Sequence, residues 1–174
     1  MNVLETEHLL LEPVRPDHAQ GIFEAIVASR SELLPWMPWA REPSMEGARA
    51  ETANSARDWE ADKRFHFAAI DRVSGTVLGV MGFARESDEA AELSYWIRTD
   101  HAGRGLTTEA CLALIDWARD SLALRRLTLW AGRENKASRR VAEKLNFSHL
   151  GTLDWQPEGG HGTFPAERYE LRLG

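Results

Sequence analysis

The sequence predicts a mixed α/β fold in which one sheet carries helices on both faces, and three observations predict it. Short runs with apolar residues at every second position recur along the chain, and segments with apolar residues at 3.6-residue spacing interrupt them. Clusters of Gly, Pro, Asn and Asp separate the two kinds of segment. The order reads strand, two helices, three strands, helix, strand, helix, two strands, which gives seven strands and a layered architecture. At 174 residues, with 43% hydrophobic and 28% charged residues, the chain suits a single domain spanning 1–174. It carries no repeat, low-complexity tract or linker.

LLLEPV (9–14) is the first strand, stopped by Pro16, and Asp17 is placed to cap a helix with Ile22, Phe23, Ile26 and Val27 on one face. LLPWMPWAREP (33–43) holds three prolines and two tryptophans and is expected to be a structured loop. Ser44 caps a second helix running to about Asp62. RFHFAAID (64–71) and VLGVMGFARE (77–86) form a hairpin around the turn RVSGT. In AAELSYWIRT (90–99), alternation sends Leu93, Tyr95 and Ile97 to one face and Glu92, Ser94 and Trp96 to the other. A helix over 108–121 buries Cys111, Leu114, Ile115 and Ala118, and RRLTLWA (125–131) is a short strand. Asn135 caps KASRRVAEKL (136–145), which ends at Asn146, and FSHLGTLDW and ERYELRL close the sheet. PEGGHGTFP, from Pro157 to Pro165, reads as a mobile loop.

The formal charge of −6 argues against nucleic acid or an anionic membrane as partner and suits a cationic or amine substrate. The only cysteine, Cys111, can form no internal disulfide, so a reducing, cytoplasmic location is expected. No membrane span or leader is legible, and six scattered histidines without zinc spacing predict no metal.

HAGRGLTTEA (101–110) puts two glycines before a helix. A dinucleotide fingerprint would need a third glycine where Thr108 stands, and the lysine of a nucleotide loop is absent. Two readings stand: a turn that needs positive φ, and a pyrophosphate cradle built from the N–H groups of Gly103, Gly105, Leu106 and Thr107 at a helix start.

The loop resembles the coenzyme A motif of the Gcn5-related N-acetyltransferases, of the branch that acetylates ribosomal-protein N-termini (the RimJ/RimL type). The motif falls on 102–107, with Ala102 in place of Gln or Arg and Thr107 in place of a small residue. AELSYWI resembles the family's fourth strand, RENKASRRVAEKLNF its Asn-and-Ser segment, with Asn146 for the usual Gly, and LLPWMPWA its substrate loop. The resemblance implies a mostly antiparallel sheet with a splayed strand pair, and acetyl-CoA as co-substrate. It implies that backbone groups of Trp96, Ile97 and Arg98 pair with the pantetheine and that Gly103, Arg104, Gly105, Leu106 and Thr107 hold the pyrophosphate. Asn135 would contact the pantetheine arm, Ser138 would offer its hydroxyl to the leaving sulfur, and Trp36, Met37 and Trp39 would line the acceptor site.

Acetyl transfer to an amine needs a neutral amine, a stabilised carbonyl oxygen and a hydrogen bond or proton for the thiolate. Glu92, on the face of Ser94 and Trp96, is the candidate for taking the amine proton, and shielding by tryptophans would raise its pKa. Glu60 and Glu109 are weaker alternatives. The expected acceptor is a protein or peptide α-amino group, whose pKa of roughly 8 lies well below the roughly 10.4 of lysine. A small-molecule amine, such as a polyamine or antibiotic, is the alternative, and a non-catalytic acyl-CoA sensor is a third reading. A monomer or homodimer is expected.

Overall fold

The computed structural model describes residues 3–156 and 163–174. Most of the expected mobile loop, Pro157 to Gly162 with His161, lies outside the described residues. The strands are β1 (Leu4–Glu5), β2 (Leu9–Pro13), β3 (Arg64–Asp71), β4 (Val77–Ser87), β5 (Ala90–Ile97), β6 (Arg126–Gly132), β7 (Ser148–Trp155) and β8 (Phe164–Arg172). The helices are α1 (Ala19–Leu33), α2 (Met45–Glu60), α3 (Leu106–Leu122) and α4 (Lys136–Lys144). They build one sheet in the order β1-β2-β3-β4-β5-β6-β8-β7. Every neighbouring pair is antiparallel except β5 and β6, which run parallel and are joined through α3.

Among the described residues the sheet has eight strands rather than seven. The additional one, β1, pairs only Leu4 with Leu11 and Glu5 with Leu10, and two residues are too few to display an alternation. Three local expectations also change. Asp17 does not cap α1: it lies in a single 3-10 turn, Pro16–His18, and α1 starts at Ala19 without a side-chain cap. The turn is closed by the Arg15 N–H donating to His18 Nδ1 at 3.2 Å. Val27 is half exposed at the edge of the α1 stripe. Helix α3 begins at Leu106, two residues before Thr108, because Gly105 itself takes the capping position.

On one face of the sheet, α3 and α4 bury Leu114, Cys111, Ala118 and Ala142 against Leu11, Phe67, Met81, Leu93, Leu127 and Tyr169. On the other, Ile22 and Ile26 of α1 pack on Val14, Ala68, Val77 and Val80, with Trp96 beside them. Both faces of β3 and β4 are therefore covered, and a fully buried leucine such as Leu114 contributes about 1.5–3 kcal/mol of transfer free energy. The register slips between Ala69 and Ile70, where Leu78 is one extra residue on β4. The two buried faces of β5 divide as its alternation demands: Leu93, Tyr95 and Ile97 lie toward α3, and Trp96 toward α1.

Candidate active site

The parallel strands β5 and β6 stay together over three pairs only, Ala90 with Arg126, Ala91 with Leu127 and Glu92 with Thr128. Beyond Glu92, β5 continues to Ile97 paired with β4 alone, while β6 continues to Gly132 paired with β8. The sheet therefore opens into a gap. The Arg98 N–H donates to the Leu78 carbonyl at 2.6 Å. The two-residue repeat of an antiparallel ladder then turns the N–H and C=O of Trp96 toward β4 and those of Tyr95 and Ile97, past the last β5–β6 pair, into the gap. Of the backbone groups at Trp96, Ile97 and Arg98, it is those of Ile97 that face the open side. These groups need a partner other than β6.

The glycine loop leads from the end of β5 to the start of α3. Gly103 and Gly105 both have left-handed backbones, φ +75° and φ +83°, and a Cβ at either would have no neighbour within 4 Å. The demand for glycine here is conformational, not steric. The remainder of the loop is braced on Asp100. Its carboxylate accepts from Arg98 Nε at 3.1 Å and Nη2 at 2.8 Å, and contacts His101 Nδ1 at 2.8 Å. Arg104 Nη2 donates to its carbonyl at 2.9 Å. The Arg98 guanidinium, followed by His101, holds the Asp100 carboxyl well below the usual carboxylate range. Leu106 is buried and anchors the first turn of α3, and the Glu109 N–H donates to the Gly105 carbonyl. The N–H groups of Leu106 and Thr107 precede that bond and have no intrahelical acceptor. A left-handed loop with open space around it, ending at free first-turn amides, fits a diphosphate. Glu109 is already engaged by His8, whose N–H and Nδ1 each lie 2.8 Å from its carboxylate.

Across the gap, Asn135 caps α4, its Oδ1 accepting from the Ser138 N–H at 3.1 Å. Ser138 is half-buried, and its carbonyl accepts from the Tyr95 hydroxyl at 3.0 Å. Its own hydroxyl lies 3.1 Å from the same Tyr95 oxygen. Alternation placed Tyr95 on the core side of β5, but a contact spanning 43 positions leaves no periodic signal in a sequence. Burial pushes the Tyr95 phenol well above its ordinary range, so the hydroxyl stays protonated.

On the α1 side of the sheet lies a cleft of about 610 Å³, and Glu92, Ser94 and Trp96 line it together with Trp36, Met37 and Trp39. Glu92 is half-buried. It stands across Ala84 from Arg64, whereas His66 lies across Gly82 from Ser94, so two small residues of β4 separate the polar groups of β3 and β5. The tryptophan loop includes a 3-10 turn, Pro38–Arg41, and is clamped by Arg30, whose Nε and Nη2 both donate to the Arg41 carbonyl. Trp39 stands at the rim, 47% exposed, with its ring centroid 6.0 Å from that of Trp96. Trp36 presses on the end of β6: a Cβ at Gly132 would fall 2.6 Å from its ring, so the glycine makes room for the indole. Glu92 and Ser138 thus lie on opposite sides of the sheet, and the gap between β5 and β6 connects them. Glu60 is exposed and does not line the cleft. Among the described residues no group of three or more His, Cys, Asp or Glu could hold a metal, and no helix is long and apolar enough to cross a membrane.

The model of the acetyltransferase (GNAT) domain family matches residues 8–148. The chain belongs to the GNAT acetyltransferases. Like the family, it is an N-acetyltransferase with acetyl-CoA as the acetyl donor, and the splayed strands and the glycine loop fit that donor. Among GNAT relatives, it is 28% identical over 153 residues to YdaF of Bacillus subtilis, provisionally named a ribosomal N-acetyltransferase, covering 83% of this chain and 80% of that one. It is 24% identical to the ribosomal-protein-serine acetyltransferase of Escherichia coli, covering 85% and 83%. In fold, it matches the GNAT enzyme RimL, the ribosomal L7/L12 α-N-protein acetyltransferase solved with coenzyme A, with a TM-score of 0.88 at 18% identity over 99% and 98% of the two chains. The acetyltransferase MccE, solved with acetyl-CoA and AMP, superposes with a TM-score of 0.84 at 18% identity over 96% and 93%.

Proposed function

We propose that this GNAT acetyltransferase transfers the acetyl group to the α-amino group of a protein or peptide N-terminus, in the cytoplasm. The observation that carries the reading is the cleft: it has Glu92 on its β5 wall and indoles above, and it lies on the face of the sheet opposite Ser138, with the open strand pair between. The acceptor enters from the α1 side between Trp36, Met37 and Trp39, which offer apolar surface and indole N–H donors. Glu92 takes the amine proton, directly or through one water, and the neutral amine attacks the thioester carbonyl without a covalent enzyme intermediate. Backbone groups along β5 and the loop around Gly103, Arg104, Gly105, Leu106 and Thr107 hold the donor, with Asn135 beside the pantetheine arm. Ser138 hydrogen-bonds the departing sulfur as charge develops there. The names of two relatives, YdaF, provisionally a ribosomal N-acetyltransferase, and the ribosomal-protein-serine acetyltransferase of E. coli, support a protein acceptor.

The test is a panel of N-terminal peptides with free or blocked α-amino groups, set against polyamines and aminoglycosides, with thiol release from acetyl-CoA as readout. Turnover only with free N-termini is the expected result, and turnover only with small amines would refute the acceptor assignment. Glu92→Gln should lower kcat by roughly 100-fold or more while coenzyme A affinity stays unchanged, the usual scale for removing a general base.

A further inference from the structure

We propose that Tyr95 is the positioning residue for Ser138, setting both the place of its hydroxyl and the direction of its proton at the mouth of the gap; this rests on the reading of Ser138 given above. The phenol links the two walls where they part: its hydroxyl donates to the Ser138 carbonyl at 3.0 Å and lies 3.1 Å from Ser138 Oγ. One phenolic proton cannot serve both. With that proton on the carbonyl, the Ser138 hydroxyl donates to the Tyr95 oxygen, which fixes its rotamer. The Asn135 side chain fixes the Ser138 N–H from the other side, at 3.1 Å. Backbone and side chain of Ser138 are therefore located by two separate elements, β5 and the cap of α4, before any donor arrives.

This arrangement also assigns the proton. As negative charge grows on sulfur, the Ser138 hydroxyl rotates away from the Tyr95 oxygen and donates to the thiolate, a stronger acceptor than a phenol. Tyr95 keeps its own proton on the Ser138 carbonyl throughout, so no charge is created at a buried ring. Neutral Tyr95 thus acts through Ser138 and does not transfer a proton to the leaving group. The phenol ring packs in the core beneath the gap, and Tyr95→Phe keeps that ring while deleting both bonds.

The experiment compares the wild type with Tyr95→Phe, Ser138→Ala and the double variant, measuring kcat, acetyl-CoA KM, coenzyme A affinity by calorimetry and melting temperature. Tyr95→Phe should lower kcat about three- to tenfold, the size of one well-made hydrogen bond, with KM and affinity within about twofold. The double variant should equal Ser138→Ala, since Tyr95 has nothing left to position. A donor whose thiol is more acidic should narrow the deficit of both single variants, an effect that a purely structural role would not produce. Additive losses, a Tyr95→Phe enzyme at wild-type kcat beside a slow Ser138→Ala, or a loss confined to coenzyme A affinity would each overturn the role of Tyr95. Full activity of Ser138→Ala would instead sink the reading of Ser138, and that outcome is distinct because it appears without touching Tyr95.

Discussion

Replacing Gly105 by alanine isolates the backbone requirement of the donor loop. Gly105 sits at φ +83° and ψ −6°, and no atom lies within 4 Å of the position its Cβ would take. There is no clash to relieve, so the whole cost is that of holding an L-residue in the left-handed region, about 1–2 kcal/mol. That cost can surface in two ways. If the loop keeps its shape, stability falls, and for a protein of this size about 1–2 kcal/mol lowers Tm by roughly 2–8 °C. If instead the residue relaxes to negative φ, the first-turn amides of α3 turn away and coenzyme A affinity falls by about 5- to 30-fold. Calorimetric titration with coenzyme A, together with thermal unfolding of the free protein, reads both. Gly105→Asn is the internal control, because asparagine tolerates the left-handed conformation better and should recover part of either loss. Gly105→Ala with unchanged Tm and unchanged affinity, or Asn performing no better than Ala, would refute the reasoning.

Three further outcomes follow from the packing and the charges. Leu114 is fully buried between α3 and the sheet, so Leu114→Ala should destabilise by about 2–5 kcal/mol in urea unfolding. Burial pushes the Cys111 thiol well up, so an alkylating reagent at mildly alkaline pH should label it only as fast as the protein unfolds, and rapid labelling of the native protein would contradict the buried placement. Burial alone would raise the Glu167 carboxyl, but the bonds from His149 Nε2 at 2.5 Å and Thr152 Oγ1 at 3.1 Å outweigh it and hold the carboxyl below its ordinary 4.5. A depressed carboxylate contributes its stability above the unfolded value and loses it as pH falls through the folded one. The Tm difference between wild type and Glu167→Gln should therefore be present at neutral pH and close on acidification below 4.5.

Local chemistry explains which features could be read before any coordinates. Ser44 and Asn135 cap α2 and α4 as their side chains dictate, accepting from Gly47 and Ser138 N–H groups. The division of β5 into Leu93, Tyr95 and Ile97 against Trp96 follows from a period of two, which needs no knowledge of neighbours. The missed features depend on distant partners or on competition between nearby ones. Helix α1 could have been capped by Asp17, but the Pro16 turn and the His18 ring close the approach first. Tyr95 is a core position by pattern, and only the arrival of α4 gives its hydroxyl a partner. Trp36, Met37 and Trp39 were legible as a loop rich in proline and tryptophan, yet the reason Trp36 can seat itself is a glycine 96 positions later.

The three-residue seam between β5 and β6 divides the sheet into two plates, β1 to β5 and β6 to β7, stitched at one end only. Ordinary sheets finish their own ladder; this one leaves its last rungs open, and under the proposed donor placement the pantetheine arm would fill them, becoming for a moment a strand of the enzyme. Product departure would then mean unzipping that borrowed strand, and the strength of those rungs would bear on how fast the next cycle can begin.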